Sequence, residues 1–307
     1  MNGNRSYRSE LEQIYRIRDT ISGVHPFLSH LYPLAIVENG EFLIFDTDES
    51  EECYLPAKRA PVPMPIPVGV RAAFDLECLD GRMACVVSGE VFDSLEGYAT
   101  IFHEFIHCRQ AETCEPQLKK RLRIAVEAAD RGDFMWELNY PFPYESPEFT
   151  RLYRLFLKGL QPGDLETVRQ CRQELSELLS DNDYEYLVWQ EWKEGFARYI
   201  ENLVRCRLGL SVIPGREDEQ LDRKIFYQGG ADFIEFLGKR NPFLTVEIDK
   251  LFDSMFVPFS ASTDEVTSME EFEEIISQAR QAAIESGVEP KNIVDAIREI
   301  RSEKCKL

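Results

Sequence analysis

Apolar residues recur every three or four positions over residues 7–21 and again over most of the chain beyond Asp93. This spacing is typical of helices with one buried face. Beyond Asp93, the first predicted helix is residues 94–112, and Asp93 or Ser94 can cap it. Asp183 is the candidate N-cap for the helix predicted at residues 184–208. Further helices are predicted at residues 116–131, 146–159, 164–180, 222–239, 244–256, 268–286 and 290–303.

Two apolar runs that lie between these helical regions have the pattern of β-hairpins. Residues 34–46 are split by Asn39-Gly40, and residues 70–89 are split by Asp80-Gly81. Both dipeptides suit the positive φ angles of a tight turn. Strands therefore precede most helices. This order predicts an α+β fold, with a small antiparallel sheet beside helix 94–112 and a mostly helical remainder.

The segment between the hairpins has proline at every second position, at Pro61, Pro63, Pro65 and Pro67. Alternating prolines force an extended path with few backbone donors. A docking site for a proline-reading domain is one interpretation, but a spacing of two never gives P-x-x-P. We therefore favour a stiff connector.

Composition limits the partners and the location. The 307 residues carry a formal net charge of -20 and are 44% hydrophobic, an ordinary globular balance. This charge repels nucleic acid and anionic membranes, so neither is expected as a partner. No signal-peptide core or membrane span is visible, and the eight cysteines form no C-x-x-C pair. Together these features predict a cytoplasmic protein with reduced thiols.

The strongest chemical signal lies in helix 94–112, where residues 103–107 read H-E-F-I-H. Residues four apart share one face of a helix, so His103 and His107 can bind one Zn²⁺ at ~2.0–2.1 Å. Glu104 can then take a proton from a water at the open metal position. The alternative is two core histidines that have this spacing by chance. Against it, the chain has four histidines, and two of them lie in the motif.

A catalytic zinc site usually has three protein ligands, and the motif supplies two. In a metzincin, a glycine and a third histidine follow the motif, but Gln110 and Thr113 stand at those positions. No histidine follows His107 anywhere in the chain. The third ligand of a catalytic zinc is therefore expected to be a carboxylate.

Glu191, Glu194 and Glu201 share roughly one face of helix 184–208, and their spacing does not choose among them. Gly195 favours one of the three. A glycine inside a strong helix costs about 1 kcal/mol relative to alanine, so it needs a packing reason. Close approach to the motif helix is the predicted reason, and it would bring Glu194 to the metal.

Residues 192–199, W-K-E-G-F-A-R-Y, resemble the third-ligand segment W-x-E-G-x-A-x-Y of the gluzincin metallopeptidases of the MA clan. The resemblance covers this helix and the motif helix. It implies a zincin-like fold in which His103, His107 and Glu194 bind zinc and Glu104 is the general base.

Residues 226–237, F-Y-Q-G-G-A-D-F-I-E-F-L, resemble the helix that follows the third ligand in several of these families. There a tyrosine hydroxyl can stabilise the oxyanion, which implies this role for Tyr227. A buried core tyrosine is the alternative. Tyr199 is a lesser candidate, because its place in the motif suits packing as well as chemistry.

The chain departs from better-known gluzincins in two respects. The interval between His107 and Glu194 is longer than in the compact members and is filled by predicted helices. Arg198 stands where thermolysin-like enzymes have an aspartate that supports a histidine ligand, so the acceptor for that histidine is unassigned. Zincins also hold substrate on an edge strand ahead of the motif helix. Residues 82–89 are in the right order to be that strand, or an ordinary core strand.

The elements and the resemblance together divide the chain into three segments. Residues 1–92 are predicted to hold the N-terminal helix and the hairpins. Residues 93–262 are predicted to form a zincin-like catalytic region, and residues 263–307 a C-terminal helical hairpin.

These features predict a zinc-dependent metallopeptidase, an endopeptidase or oligopeptidase that cleaves peptide or protein substrates with Glu104 as general base. The alternative is a binding or scaffold protein on a metallopeptidase fold, in which zinc is structural or lost. Residues 263–307 would then be the working surface. A third interpretation is a hydrolase that uses the same zinc site on another amide.

Overall fold

A computed structural model describes residues 6–48, 52–63, 66–161, 163–213 and 221–256. These residues form one five-stranded sheet and ten α-helices, so the predicted α+β class is confirmed. The helices predicted at residues 268–286 and 290–303 lie outside the described residues, as do Pro65 and the rest of segment 263–307.

One α-helix precedes the five described strands, and the other nine described α-helices follow them. The strands are β1 (Leu34–Glu38), β2 (Glu41–Thr47), β3 (Tyr54–Pro61), β4 (Arg71–Leu76) and β5 (Arg82–Ser88). The helices are α1 (Arg8–Ile21), α2 (Leu95–Thr113), α3 (Glu115–Lys119), α4 (Arg123–Asp130), α5 (Trp136–Asn139), α6 (Pro147–Leu160), α7 (Leu165–Leu178), α8 (Asp181–Arg207), α9 (Ile225–Arg240) and α10 (Ile248–Phe256). None of these helices is both long enough and apolar enough to cross a membrane.

The sheet is mixed rather than antiparallel, which corrects the prediction. Its strand order is β3-β2-β1-β5-β4, and every neighbouring pair is antiparallel except β1 and β5. In the parallel register, Leu34 pairs with Cys85 and Val37 with Ser88. Both hairpins exist, but they lie side by side with β1 and β5 running in the same direction. The alternation of apolar residues within each hairpin does not indicate how one hairpin pairs with the other.

The two turn dipeptides adopt the conformations that their residues favour. Asn39 and Gly40 have φ angles of 52° and 79°, and Asp80 and Gly81 have φ angles of 57° and 78°. Both hairpin predictions are therefore confirmed. Strand β4 ends earlier than predicted, because the short 3₁₀ helix Glu77–Leu79 precedes the second turn.

Strand β3 is absent from the predictions because its prolines conceal it. It pairs with β2 alone and forms one edge of the sheet. Pro56 and Pro61 are tolerated there because an edge strand needs backbone donors on only one side. The proline-rich segment therefore begins inside an edge strand, and beyond it the Val62 N–H donates to the carbonyl of Gly40 at 3.0 Å.

Strand β5 lies inside the sheet, between β1 and β4. Residues 82–89 are therefore not the edge strand that the zincin resemblance implies, and β4 occupies that edge instead. Cys85 and Val87 pack into the main core with α2, while Ala84 and Val86 belong to a second apolar cluster. Burial of both sets explains why β5 has a nearly continuous apolar sequence.

Helix α2 packs across the sheet and carries the H-E-x-x-H motif. The Gly97 N–H donates to Ser94 Oγ at 3.2 Å, so Ser94 rather than Asp93 caps this helix. A Cβ atom at Gly97 would lie 1.8 Å from the carbonyl oxygen of Val91. The first turn of α2 therefore needs glycine to fit against the preceding segment.

Helix α8 runs beside α2 and begins earlier than predicted. The Asp183 N–H donates to Ser180 Oγ at 3.2 Å, so Ser180 is the N-cap and the prediction of Asp183 is wrong. Asp183 lies in the first turn instead, where its side chain accepts a hydrogen bond from Tyr140. Trp189 and Trp192 are fully buried and anchor α8 in the core.

The helix predicted at residues 116–131 is two helices, α3 and α4. They are separated because Leu122 is buried in an extended conformation just before α4. The helix predicted at residues 244–256 likewise contains the end of the 3₁₀ helix Pro242–Thr245 and then α10. The short helix α5 has no counterpart among the predictions.

Helices α8 and α9 cross at a pair of glycines. A Cβ atom at Gly195 would lie 2.6 Å from Gly230 Cα, and a Cβ atom at Gly230 would lie 2.2 Å from the carbonyl oxygen of Glu191. Gly195 thus has a packing reason, but the predicted partner is wrong. The helix that approaches Gly195 is α9 and not the motif helix α2.

The close crossing predicts the effect of a methyl group. Alanine in place of glycine ordinarily stabilises a helix by about 1 kcal/mol. Gly230→Ala should instead lower the free energy of unfolding by about 1–3 kcal/mol, because the methyl group meets the α8 backbone. Gly23→Ala, where a Cβ has open space, is the control and should stay within ~0.5 kcal/mol. Urea denaturation measures both variants, and a Gly230→Ala protein as stable as the wild type would contradict the crossing.

His25 joins the N-terminal part of the chain to the segment that precedes α10. Its Nδ1 accepts from the Phe27 N–H at 3.3 Å, and its Nε2 lies 3.0 Å from the carbonyl oxygen of Thr245. Since a carbonyl only accepts, the ring is neutral with its proton on Nε2. Burial lowers the pKa of His25 to about 4, although the hydrogen bond to Thr245 opposes the shift.

The depressed pKa of His25 predicts a pH dependence of stability. The imidazole has a pKa of about 6.5 in the unfolded chain, so between pH ~6.5 and ~4 the unfolded state binds more protons. Stability is complete above this window and falls as the pH decreases through it, by on the order of 3 kcal/mol. His25→Gln should remove this component of the slope, whereas His30→Gln, at an exposed position, should keep it. Urea denaturation at about pH 7 and pH 4.5 measures the slopes, and equal slopes for wild type and His25→Gln would refute the assignment.

Candidate metal centre

Three predicted ligand side chains converge between α2 and α8. His103 Nε2 and His107 Nε2 are 3.1 Å apart, and Glu194 Oε2 lies 3.4 Å from His107 Nε2 and 3.9 Å from His103 Nε2. Among the described residues, this is the group of histidine, cysteine and acidic side chains whose ligand atoms could hold a metal ion. Both histidines are buried and Glu194 is nearly so.

Gln110 of α2 forms hydrogen bonds to α8, so it links the two helices that carry the candidate ligands. Its amide nitrogen donates to the carbonyl oxygens of Trp192 and Lys193, at 3.4 and 3.1 Å, just before Glu194 in α8. These bonds orient the amide so that its oxygen faces His107 Nδ1 at 2.9 Å. Gln110 therefore positions the candidate ligand His107 directly and bonds to the helix that carries the candidate ligand Glu194. The sequence drew attention to Gln110 only as the place where a metzincin glycine is missing.

Glu201 is the acceptor that the sequence left unassigned. Its Oε2 lies 3.1 Å from His103 Nδ1, and it is buried. Arg198 and Arg205 flank it at 3.3 and 3.7 Å. Arg198 thus supports the carboxylate that supports the histidine. The available signal was the spacing of seven residues from Glu194, which places Glu201 two turns further along the same face.

The outer hydrogen bonds determine what the inner nitrogens can do. Because each Nδ1 faces an oxygen acceptor, each imidazole places its proton on Nδ1 and a lone pair on Nε2. The lone pairs of His103 and His107 then face each other and the carboxylate of Glu194. Acceptors brought together in this way repel unless a proton or a cation lies among them.

The separations suit a tetrahedral metal ion. Donor atoms bound to one tetrahedral Zn²⁺ at ~2.0–2.1 Å lie about 3.3–3.4 Å apart. The separations of 3.1, 3.4 and 3.9 Å among the donor atoms bracket that value. Two imidazoles and one carboxylate form a donor set that is typical of catalytic rather than structural zinc sites.

Electrostatic interactions bind the three ligands to one another. Burial would raise the pKa of Glu194, but His107 and His103 lower it well below its ordinary value. Burial would lower the pKa of His103, but hydrogen bonds to Glu194 and Glu201 raise it to about 10. Both shifts show that positive charge is favoured among these three side chains, and a divalent cation would supply it.

Glu104 is buried beside the three ligands. Burial raises its pKa above the ordinary value, although His103 and His107 act in the opposite direction. The charges of Glu194 and Glu201 also raise it. A carboxylate with increased proton affinity, next to a group that can hold a metal, is suited to take a proton near neutral pH.

Tyr227 lies at the same centre. Burial raises the pKa of Tyr227, and the negative charges of Glu194 and Glu104 raise it further, against the effect of Arg223. The phenol therefore stays protonated and can donate a hydrogen bond. Tyr227 precedes Gly230 in α9, so the glycine crossing with α8 brings it near Glu194.

The structure separates the other two candidates from the centre. Tyr199 packs beside Phe196, and no described contact joins it to the three ligands. Glu191 is fully buried, and its carboxylate pairs with Arg172 at 2.7 Å and with the Tyr153 hydroxyl at 2.8 Å. Of the three candidate glutamates of α8, Glu191 is therefore paired with side chains of α6 and α7 instead of the histidines.

Comparisons with models of known protein families, with curated proteins and with solved structures found no match to this chain.

Proposed function

We propose that this chain is a zinc-dependent peptidase whose metal is held by His103, His107 and Glu194. The observation that carries the proposal is the convergence of both Nε2 atoms and Glu194 Oε2, with Glu104 buried beside them. The resemblance of residues 192–199 to the gluzincin third-ligand segment supports the same ligands.

His103, His107 and Glu194 would hold the Zn²⁺, which would supply a Lewis acid for the peptide carbonyl and lower the pKa of the attacking water. Glu104 takes a proton from the attacking water and returns it to the amine that leaves. The Tyr227 hydroxyl donates to the oxyanion that forms at the carbonyl. Glu201 and Gln110 hold the imidazole rings in the orientation that directs Nε2 inward.

Replacing the base tests the mechanism. Glu104→Gln keeps the shape of the side chain but cannot accept the proton, so hydrolysis should fall by about 10²- to 10⁴-fold. Zinc content should stay near that of the wild type, because Glu104 is not among the ligands. Glu96→Gln, at an exposed position of the same helix, is the control. Peptide-library cleavage and metal analysis give the two readouts, and a fully active Glu104→Gln protein would exclude this mechanism.

The same assay distinguishes the alternatives. About one zinc per chain with no cleavage of any peptide by the wild type would favour a binding or scaffold protein on this fold. Cleavage of other amides but not of peptides would favour a different amide hydrolase.

Glu201 offers a test of metal binding that does not depend on catalysis. Glu201→Gln weakens the acceptor of His103 Nδ1, so zinc affinity should fall by about 10-fold or more. Glu177→Gln, at an exposed position of α7, should leave the affinity unchanged. Competition with a coloured chelator measures the affinity, and circular dichroism checks that both variants fold. An unaltered affinity in Glu201→Gln would argue against His103 as a ligand.

A further inference from the structure

Arg223 lies at the edge of the candidate centre, two residues before α9. Its Nη1 is 3.7 Å from Glu194 Oε1, the carboxylate oxygen that faces away from the histidines, and 3.5 Å from Gln190 Oε1. Its guanidinium carbon lies 5.4 Å from the centre of the Tyr227 ring. Arg223 thus contacts both a proposed zinc ligand and the proposed oxyanion donor.

Within the described part of the chain, Arg223 uses few of its hydrogen-bond donors. A guanidinium has five N–H donors and forms charge-assisted bonds of about 2.7–2.9 Å when it is fully engaged. Among the described residues, only Nη1 has polar contacts, and both are longer than that. The side chain keeps 28% of its surface exposed. It can therefore accept a further anionic partner from solution.

Among the described residues, the ion-pair partner of Arg223 is Glu194, whose carboxylate a divalent cation would also engage. Glu201 lies between Arg198 and Arg205, which offset its charge. A divalent cation would offset Glu104 and Glu194 together. The guanidinium of Arg223 then remains as a positive charge at the site of a chain whose formal net charge is -20. A site with this local excess attracts a small anionic group, while the overall charge repels polyanions such as nucleic acid.

We infer that Arg223 binds a carboxylate of the peptide substrate and is a specificity-determining residue. This inference rests on the proposed peptidase function and adds a substrate class to it. The carboxylate comes either from the C-terminus of a short peptide or from an acidic side chain beside the cleaved bond. Both sources present the planar pair of oxygens that a guanidinium binds through two parallel N–H groups.

Affinity selection tests the inference without requiring turnover. Full-length, zinc-loaded Glu104→Gln protein is immobilised and offered a library of acetylated pentapeptides. Half of the library has a free C-terminal carboxylate and half an amide, and within each half one position is Glu or Gln. Mass spectrometry of the retained peptides should show enrichment of one carboxylate class by about 10- to 100-fold, the effect of a hydrogen bond to a charged group.

Two further variants in the Glu104→Gln background identify the group responsible. Arg223→Gln should abolish the enrichment and leave the amidated Gln peptides unaffected. Arg131→Gln makes the same change in net charge at an exposed position of the chain and should keep the enrichment. Arg223→Lys should keep part of it, because lysine retains the charge but not the paired donors.

The outcomes separate this inference from the peptidase proposal. No enrichment by the parent protein, or enrichment that persists in Arg223→Gln, overturns the inference. An Arg223→Gln protein that loses zinc and retains all peptides equally poorly also overturns it, because Arg223 would then act only through Glu194. If selection depends on Arg223 but the wild type cleaves no peptide, the carboxylate site would be supported and the peptidase function would be contradicted. In an active wild type, Arg223→Gln should raise KM for the selected class and leave kcat nearly unchanged.

Discussion

Polar groups of the candidate centre are buried, and a buried polar group must find a partner or cost several kcal/mol. This constraint explains the arrangement of the surrounding residues. Gln110 provides a hydrogen-bond partner for three such groups, namely the ring of His107 and two backbone carbonyls of α8. The contact between α2 and α8 is thus specified by hydrogen bonds as well as by apolar packing. A shift of one helix along the other would leave several of these groups unpaired.

The partners of the α8 carboxylates determine their different roles. Glu191 is neutralised by Arg172, and Glu201 lies between two arginines and His103. Glu194 is the carboxylate of the three that faces both imidazole Nε2 atoms. The same residue type therefore supplies a core ion pair, a hydrogen-bond partner for His103 and a proposed metal ligand. The neighbouring helices and not the amino acid decide which of these it becomes.

The parts of the fold that local sequence determines were predictable. The turns at Asn39 and Asp80, the apolar period of most helices and the spacing of His103 and His107 are all local properties. Glu194 was reached through a resemblance and a glycine, although the helix that Gly195 meets is α9. The parallel pairing of β1 with β5, the edge strand β3 and the contact of Glu201 with His103 join residues that are distant in sequence. Periodicity carries no signal for such contacts, which is why the mixed sheet and the support of the ligands emerged only from the structure.

The hydrogen bonds of Glu201 and Gln110 have a further consequence for how the centre would meet a metal. Both imidazoles are already oriented, and the helices that carry them are fixed by a core in which Trp189 and Trp192 are fully buried. Binding of the proposed metal would therefore need neither folding nor a search among ring orientations, unlike in small zinc domains that are unfolded without their metal. One ion could then leave and another enter while the chain stays folded. Its occupancy would then follow the supply of free metal, in exchange for protons, rather than the history of how the protein was folded.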